Sequence, residues 1–275
     1  MDSRVALWFC VLLFWCCAGV AWARRERILA QRKSSFNEVQ VVQEGHQRIL
    51  KVRQGKVFVE ESRCDMRRPA HLLHQYSRLQ MLASLFPDRL DRALVVGLGG
   101  GSLSKALVKH FPQLVVDSIE LDPEIARLAQ EYFAYRESER CHTFVADARV
   151  HLEKASQQYD LIVLDAFDGL EIPQPLRTRQ FYELVSQRLR PGGVVASNLH
   201  RRSQNYDRDR VSLAQVFSHS QGFEGLGLVV VVSGLQAFQA HPERWSEGWG
   251  FAYQPLLKLL EKPGSYNIKV SPFED

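Results

Sequence analysis

"LVVGLGGGSLSKALVKHF", residues 94–111, is an apolar run that breaks into glycines and restarts as an amphipathic helix. Gly97, Gly99, Gly100 and Gly101 let the backbone turn tightly and approach a ligand before a helix that begins near Ser102. A strand-to-helix turn wants glycine for its own sake, so the loop gains meaning from what surrounds it. Short apolar runs alternate with amphipathic helices around it: "ALVVG" (93–97), "LVVDSIEL" (114–121), "HTFVA" (142–146), "YDLIVLD" (159–165), "GGVVASNL" (192–199) and "GLGLVVVVS" (225–233). Near-continuous Val/Ile/Leu strands between helices predict an α/β fold, with a mostly parallel Rossmann-like sheet covered on both faces. Ligands of such sheets bind at the carboxyl ends of the strands.

Outward from that centre, the chain has 275 residues, 45% of them apolar and 24% charged, enough for one full-sized core and a small accessory unit. The net charge of +4 is modest and basic residues are interleaved with acidic ones, which argues against nucleic acid as a partner. Residues 37–61, "NEVQVVQEGHQRILKVRQGKVFVEE", alternate apolar and polar side chains, with Glu44-Gly45 and Gln54-Gly55 where turns fall. They predict a small antiparallel β unit over 37–66. In "AHLLHQYSRLQMLASLF", Leu72, Leu73, Tyr76, Leu79, Leu82 and Leu85 stand at helical spacing, and the Rossmann-like domain is expected to occupy 67–275. The aromatics of "ERWSEGWGFAYQPL" near the C-terminus are expected to fill core.

The opening segment carries an apolar stretch from Val5 to Val20, so residues 1–23 read as a signal peptide or membrane anchor, with 24–36 a basic linker. Ala21-Trp22-Ala23 fits a signal-peptidase site, which implies export. Against that, Arg24, Arg25, Arg27, Arg32 and Lys33 follow the apolar run, and the positive-inside bias would keep the domain facing the cytoplasm on an uncleaved anchor. Of the five cysteines only Cys64 and Cys141 lie beyond this segment, too few for a disulfide framework or a metal cluster, and each is expected to be a buried thiol. No metal is expected.

Besides the glycine loop, three strand ends carry chemistry. Glu120 stands about 20 residues past the glycines, where Rossmann-like folds place the acid that binds ribose hydroxyls. Asp147, in "FVADA", is either an adenine contact or the N-cap of a helix starting at Ala148. Asp165 and Asp168, in "VLDAFDG", suit a cationic substrate, because a carboxylate accepts charge-assisted hydrogen bonds from ammonium groups and can take up a proton.

"ALVVGLGGGSLSKALVKHFP", "IELDPEIARLAQEYF", "VADARVHLEKASQQYDLIVLDAFDG" and "TRQFYELVSQRLRPGGVVASNL" together resemble the spermidine/spermine synthase family of polyamine aminopropyltransferases, over roughly Val42 to Leu199. The resemblance implies a small β unit on a class I methyltransferase-type domain, decarboxylated S-adenosylmethionine as co-substrate, and an amine or polyamine acceptor. It implies that Glu120 holds the ribose, that Asp147 with Ala148 contacts the adenine, that Gln47 reaches the cofactor from the β unit, and that Asp165 and Asp168 form the amine site. Two positions depart from the family pattern. Gly100 stands where the loop usually has an aspartate for the aminopropyl ammonium, and Arg78-Leu79 stands where the family has Tyr-His, which puts either a cation or a solvated surface arginine near where a polyamine would lie.

The leading reading is aminopropyl transfer. A methyltransferase using intact S-adenosylmethionine and a non-catalytic, membrane-tethered nucleoside- or polyamine-binding protein are the alternatives. An NAD dehydrogenase is remote, because nothing supplies a hydride-transfer partner. A homodimer is an open expectation for its assembly.

Overall fold

A computed structural model of the chain describes residues 26–168, 171–261 and 266–275. The expectations for residues 1–23 lie outside the described residues. No helix among the described residues is long and apolar enough to cross a membrane.

Four strands form an antiparallel sheet in chain order: β1 (Arg27–Lys33), β2 (Glu38–Glu44), β3 (Gln47–Gln54) and β4 (Val57–Asp65). The hairpin turns fall on Gly45 and Gly55, both at positive φ. Residues 27–33, expected as linker, are thus a strand: β1 pairs with β2 from Arg27↔Gln43 to Lys33↔Glu38. The strand escaped the sequence reading because it lies on the sheet edge, where Ala30 alone is buried and charged side chains face water. The covered face of the sheet packs Val39, Val41, Leu50 and Cys64 against Ile125, Leu128 and Phe133.

The main sheet has seven strands in the order β10-β11-β9-β8-β5-β6-β7. Its parallel centre is β5 (Arg92–Val96), β6 (Val115–Glu120), β7 (Cys141–Val145), β8 (Tyr159–Leu164) and β9 (Leu189–His200). Alternate residues of β5 serve opposite faces. Ala93 and Val95 meet α1 (Gln75–Leu82) and α2 (Ser102–His110), while Leu94 and Val96 meet α4 (Ala148–Lys154), α5 (Arg179–Gln187) and α6 (Tyr206–Val216). Each such buried Val or Leu contributes about 1.5–3 kcal/mol, which is why the strand reads as an unbroken apolar run. Trp249 is buried in the first of these faces, as core, beside Phe111 and Phe251.

The antiparallel end of the sheet, β10 (His219–Gly225) and β11 (Leu228–Gly234), is a hairpin turning through Leu226 and Gly227, both at positive φ. β10 was not foreseen, because "HSQGFEG" lacks apolar alternation. In the centre, β5 is flanked by β6 on one side and β8 on the other, so the chain reverses its direction of travel across the sheet at β5. That switch point opens a crevice at the strands' carboxyl ends.

Candidate active site

A cleft of about 490 Å³ fills that crevice, roofed by β3 and β4 of the small sheet and by α1. Its floor begins at Gly97. There φ is +95°, and a Cβ would stand 2.2 Å from the carbonyl oxygen of Asp165. Only glycine permits this approach, and it sets the glycine loop against the acidic loop that follows β8. Main-chain bonds fix the junction, from Asp165 N to Val96 O at 2.8 Å and from Gly97 N to Ile119 O at 2.9 Å.

Glu120, at the end of β6, is buried and lines the cleft. Its Oε2 accepts hydrogen bonds from Leu98 N at 3.0 Å and Gly99 N at 3.4 Å, and its Oε1 accepts one from Asp122 N at 3.0 Å. Burial raises its pKa, and the three backbone donors oppose that rise. The carboxylate therefore organises the loop and keeps one lone pair, on Oε1, for a hydroxyl donor. Glu120→Gln places an amide NH₂ against a backbone N–H, and loses a charge-assisted bond of about 1.5–3 kcal/mol. The expected result is nucleoside binding weaker by one to two powers of ten in calorimetry. Unchanged affinity would remove Glu120 from the site.

Asp147 is the N-cap of α4, its Oδ1 accepting from Val150 N at 3.0 Å, and it also lines the cleft next to Ala148. Asp122 caps α3 (Pro123–Tyr132) in the same way, and its other oxygen holds Ser34 Oγ at 2.6 Å and Asn37 Nδ2 at 3.1 Å. The β1–β2 turn is thereby fastened to the main domain beside the cleft.

Asp165 is half-buried, and its Oδ1 accepts from Asn198 Nδ2 at 2.8 Å. Burial raises its pKa, and polar support from Asn198 and from the nearby Gln80 amide lowers it. Asp168 is exposed at the rim, held through main-chain bonds with Glu171. The structure thus gathers Gly97, Gly99, Glu120, Asp147, Ala148, Asp165 and Asp168 around one cleft.

Two expected residues do not line it. Gln47 Oε1 accepts a hydrogen bond from Arg63 Nη1 at 2.6 Å, within a network that includes Glu44 and Glu60, and Gln54 at the other end of β3 lines the cleft instead. Gly101 precedes α2 at φ +67°, under the ring of Tyr135, and serves the turn. Arg78 also departs from expectation: its Nε donates to Leu72 O at 2.8 Å and its guanidinium faces Phe251, so it brings no cation into the cleft.

Sequence reasoning missed Glu61, Gln80, Tyr76, Asn198 and His200, all of which line the cleft. Asn198 and His200 were findable, since they end a strand whose carboxyl end was expected to carry chemistry. Among the described residues, no group of three or more His, Cys, Asp or Glu is placed to hold a metal ion.

Residues 75–226 match the spermine/spermidine synthase domain. A polyamine aminopropyltransferase of Vibrio vulnificus is 31% identical over 244 residues, covering 85% of this chain and 81% of that protein. A probable spermidine synthase from Corynebacterium glutamicum shares the fold at a TM-score of 0.66 and 22% identity, over 78% of this chain and 82% of its own. Human methyltransferase-like protein 13, solved in complex with SAH, superposes at a TM-score of 0.54 and 26% identity, over 70% of this chain and 93% of its own.

Proposed function

This chain belongs to the spermidine/spermine synthase family and is a transferase, and we propose that it moves an aminopropyl group from decarboxylated S-adenosylmethionine to a small amine or polyamine. The observation that carries the reading is the back-to-back junction of the glycine loop with the Asp165–Asp168 loop, which brings both loops to one cleft, where they would serve as nucleoside platform and acidic amine site. Glu120 would hold the ribose and Asp147 with Ala148 the adenine side, leaving the sulfonium facing Asp165. Asp165 and Asp168 would hold the acceptor, with Asp165 taking the proton that must leave before nitrogen can attack. The nitrogen lone pair forms the new C–N bond to the methylene beside sulfur, the C–S electron pair returns to sulfur, and methylthioadenosine departs. Alignment supplies most of the acceleration, since a sulfonium is already a good leaving group.

A methyl transfer from intact S-adenosylmethionine is the second reading, favoured by one observation: the loop carries glycine at position 100, with no acid to demand an ammonium-only tail. Purified protein incubated with each sulfonium donor and a panel of amines separates the two. Methylthioadenosine is the expected product, and S-adenosylhomocysteine would install the methyltransferase instead.

For location, the basic residues that follow the N-terminal apolar stretch favour a tethered domain facing the cytoplasm, where both donors are made. A reporter active only in an oxidising compartment, fused after Asp275, is expected to stay silent. Its activity would place the domain outside.

A further inference from the structure

We infer that Glu61 is the donor-selecting carboxylate of this cleft: it reaches in from the small sheet to hold the primary ammonium at the end of the donor's aminopropyl chain. The inference rests on the aminopropyl reading and deepens it.

The glycine loop itself cannot supply that charge. A Cβ at Gly100 would stand 2.8 Å from Ser62 Oγ and 3.0 Å from the ring of Phe133, so the space an acidic side chain would need is filled by protein. The residue doing the filling is the neighbour of Glu61. Lys51 of β3 pairs with Glu60 and Leu50 with Ser62, which leaves Glu61 as the extra residue of a β-bulge. A bulge breaks the alternation of a strand and re-aims a side chain. Here Glu60, Glu61 and Ser62 all line the cleft, which regular alternation would not allow. Ser62 closes the loop side, and Glu61 brings a carboxylate to the same region from above.

Its surroundings favour a cationic occupant. The groups facing Glu61 are Asp165 and Asp168 from the loop after β8, Tyr76 from α1 and Gln54 from β3. Gln54 Nε2 donates to it at 3.2 Å, while burial and the two aspartates push its pKa up to about 7. Deep in the same cleft, Gln80 is 1% exposed and Asn198 3% exposed. Asn198 Oδ1 has no hydrogen-bond partner among the described residues, and the Gln80 amide is left with hydrogen-bonding capacity to spare. Buried polar atoms in this state call for a partner. A donor bearing a sulfonium and an ammonium relieves the crowding of three carboxylates, whereas intact S-adenosylmethionine adds a fourth at the carbon that carries the ammonium.

The test is calorimetry on Glu61→Gln and wild type with three nucleosides: methylthioadenosine, which has no ammonium, decarboxylated S-adenosylmethionine, and S-adenosylmethionine. The variant should bind the decarboxylated donor about 10- to 100-fold more weakly, bind methylthioadenosine within about twofold of wild type, and lose preference between the two sulfonium donors. Wild-type affinity for the decarboxylated donor should also rise from pH 6 to pH 8, by at most about tenfold per unit below the Glu61 pKa, because the cation favours the ionised carboxylate. Glu61→Gln should flatten that rise. Equal loss of donor and methylthioadenosine binding would mark Glu61 as structural and overturn the inference, as would an unchanged donor preference. If either occurs while wild type still releases methylthioadenosine, aminopropyl transfer stands and the Glu61 assignment alone falls. If wild type yields S-adenosylhomocysteine instead, both fall.

Discussion

Asp165→Asn should retain its nucleoside and lose its turnover. The substitution keeps the shape of the side chain and leaves untouched the main-chain bond from residue 165 to Val96 O, so the glycine loop stays in place. What disappears is the charge that orients an ammonium and accepts its proton. Positioned proton transfer is worth about 10²–10⁴ in rate, so kcat should fall by that factor while methylthioadenosine binding moves little. The same change should raise stability. Burial raises the Asp165 pKa above its ordinary value, so between the two values the folded state keeps a proton that the unfolded chain releases. Stability from this group is present at low pH and is lost as pH rises through the folded value. At neutral pH the wild-type chain carries that cost and the asparagine variant does not, so the variant should melt higher at pH 7 than wild type, with the gap closing towards pH 4. A further consequence reaches Glu61, whose pKa Asp165 helps to raise, and which should titrate lower in the variant. The assays are methylthioadenosine release, calorimetry and thermal melts against pH. Near-normal turnover would sink the assignment of Asp165.

The central sheet could be read from the sequence because its chemistry is local. Inner parallel strands covered on both faces must be apolar at nearly every position, and the residues of β5 show it by alternating between two cores. The acids at the strand ends were legible from their position, at the carboxyl ends where ligands of such sheets bind. Edge strands were less transparent. β1 and β10 lie on sheet edges, where one side faces water and the apolar signal thins. Gln47 was misplaced because a strand pattern gives the face of a residue but not how far along the cleft it lies. At the near end Arg63 donates to its amide oxygen, and the far end, at Gln54, is what meets the site. Glu61 could not be anticipated at all. Alternation assigns adjacent residues to opposite faces, and only the pairing of β3 with β4 shows the extra residue that sends it into the cleft. Arg78 illustrates the opposite error, in which aligned position suggested a pocket cation and the side chain instead found a backbone carbonyl and an aromatic face.

Gly97→Ala should damage fold, binding and turnover together, which no substitution at a side-chain contact would do. Two penalties coincide at this residue. Its φ of +95° is a conformation that L-residues avoid, at a cost of about 1–3 kcal/mol for a non-glycine residue. Its Cβ would also lie 2.2 Å from the Asp165 carbonyl oxygen and 2.9 Å from the carbonyl carbon, an overlap with main chain that no rotamer change relieves. Relief requires the ends of β5 and β8 to separate, and crowding of this kind costs about another 1–3 kcal/mol. That movement pulls the glycine loop away from Asp165, so nucleoside affinity and turnover should each fall by at least an order of magnitude, with a lower melting temperature. Gly55→Ala is the control. It too has a positive φ, +61°, but a Cβ there meets nothing within 4 Å. It should therefore show backbone strain alone, with a modest loss of stability and normal nucleoside binding. If Gly97→Ala instead matched Gly55→Ala in both measurements, the close approach of the two loops would not be what builds the site, and the coupling between nucleoside platform and amine site would have to be sought elsewhere.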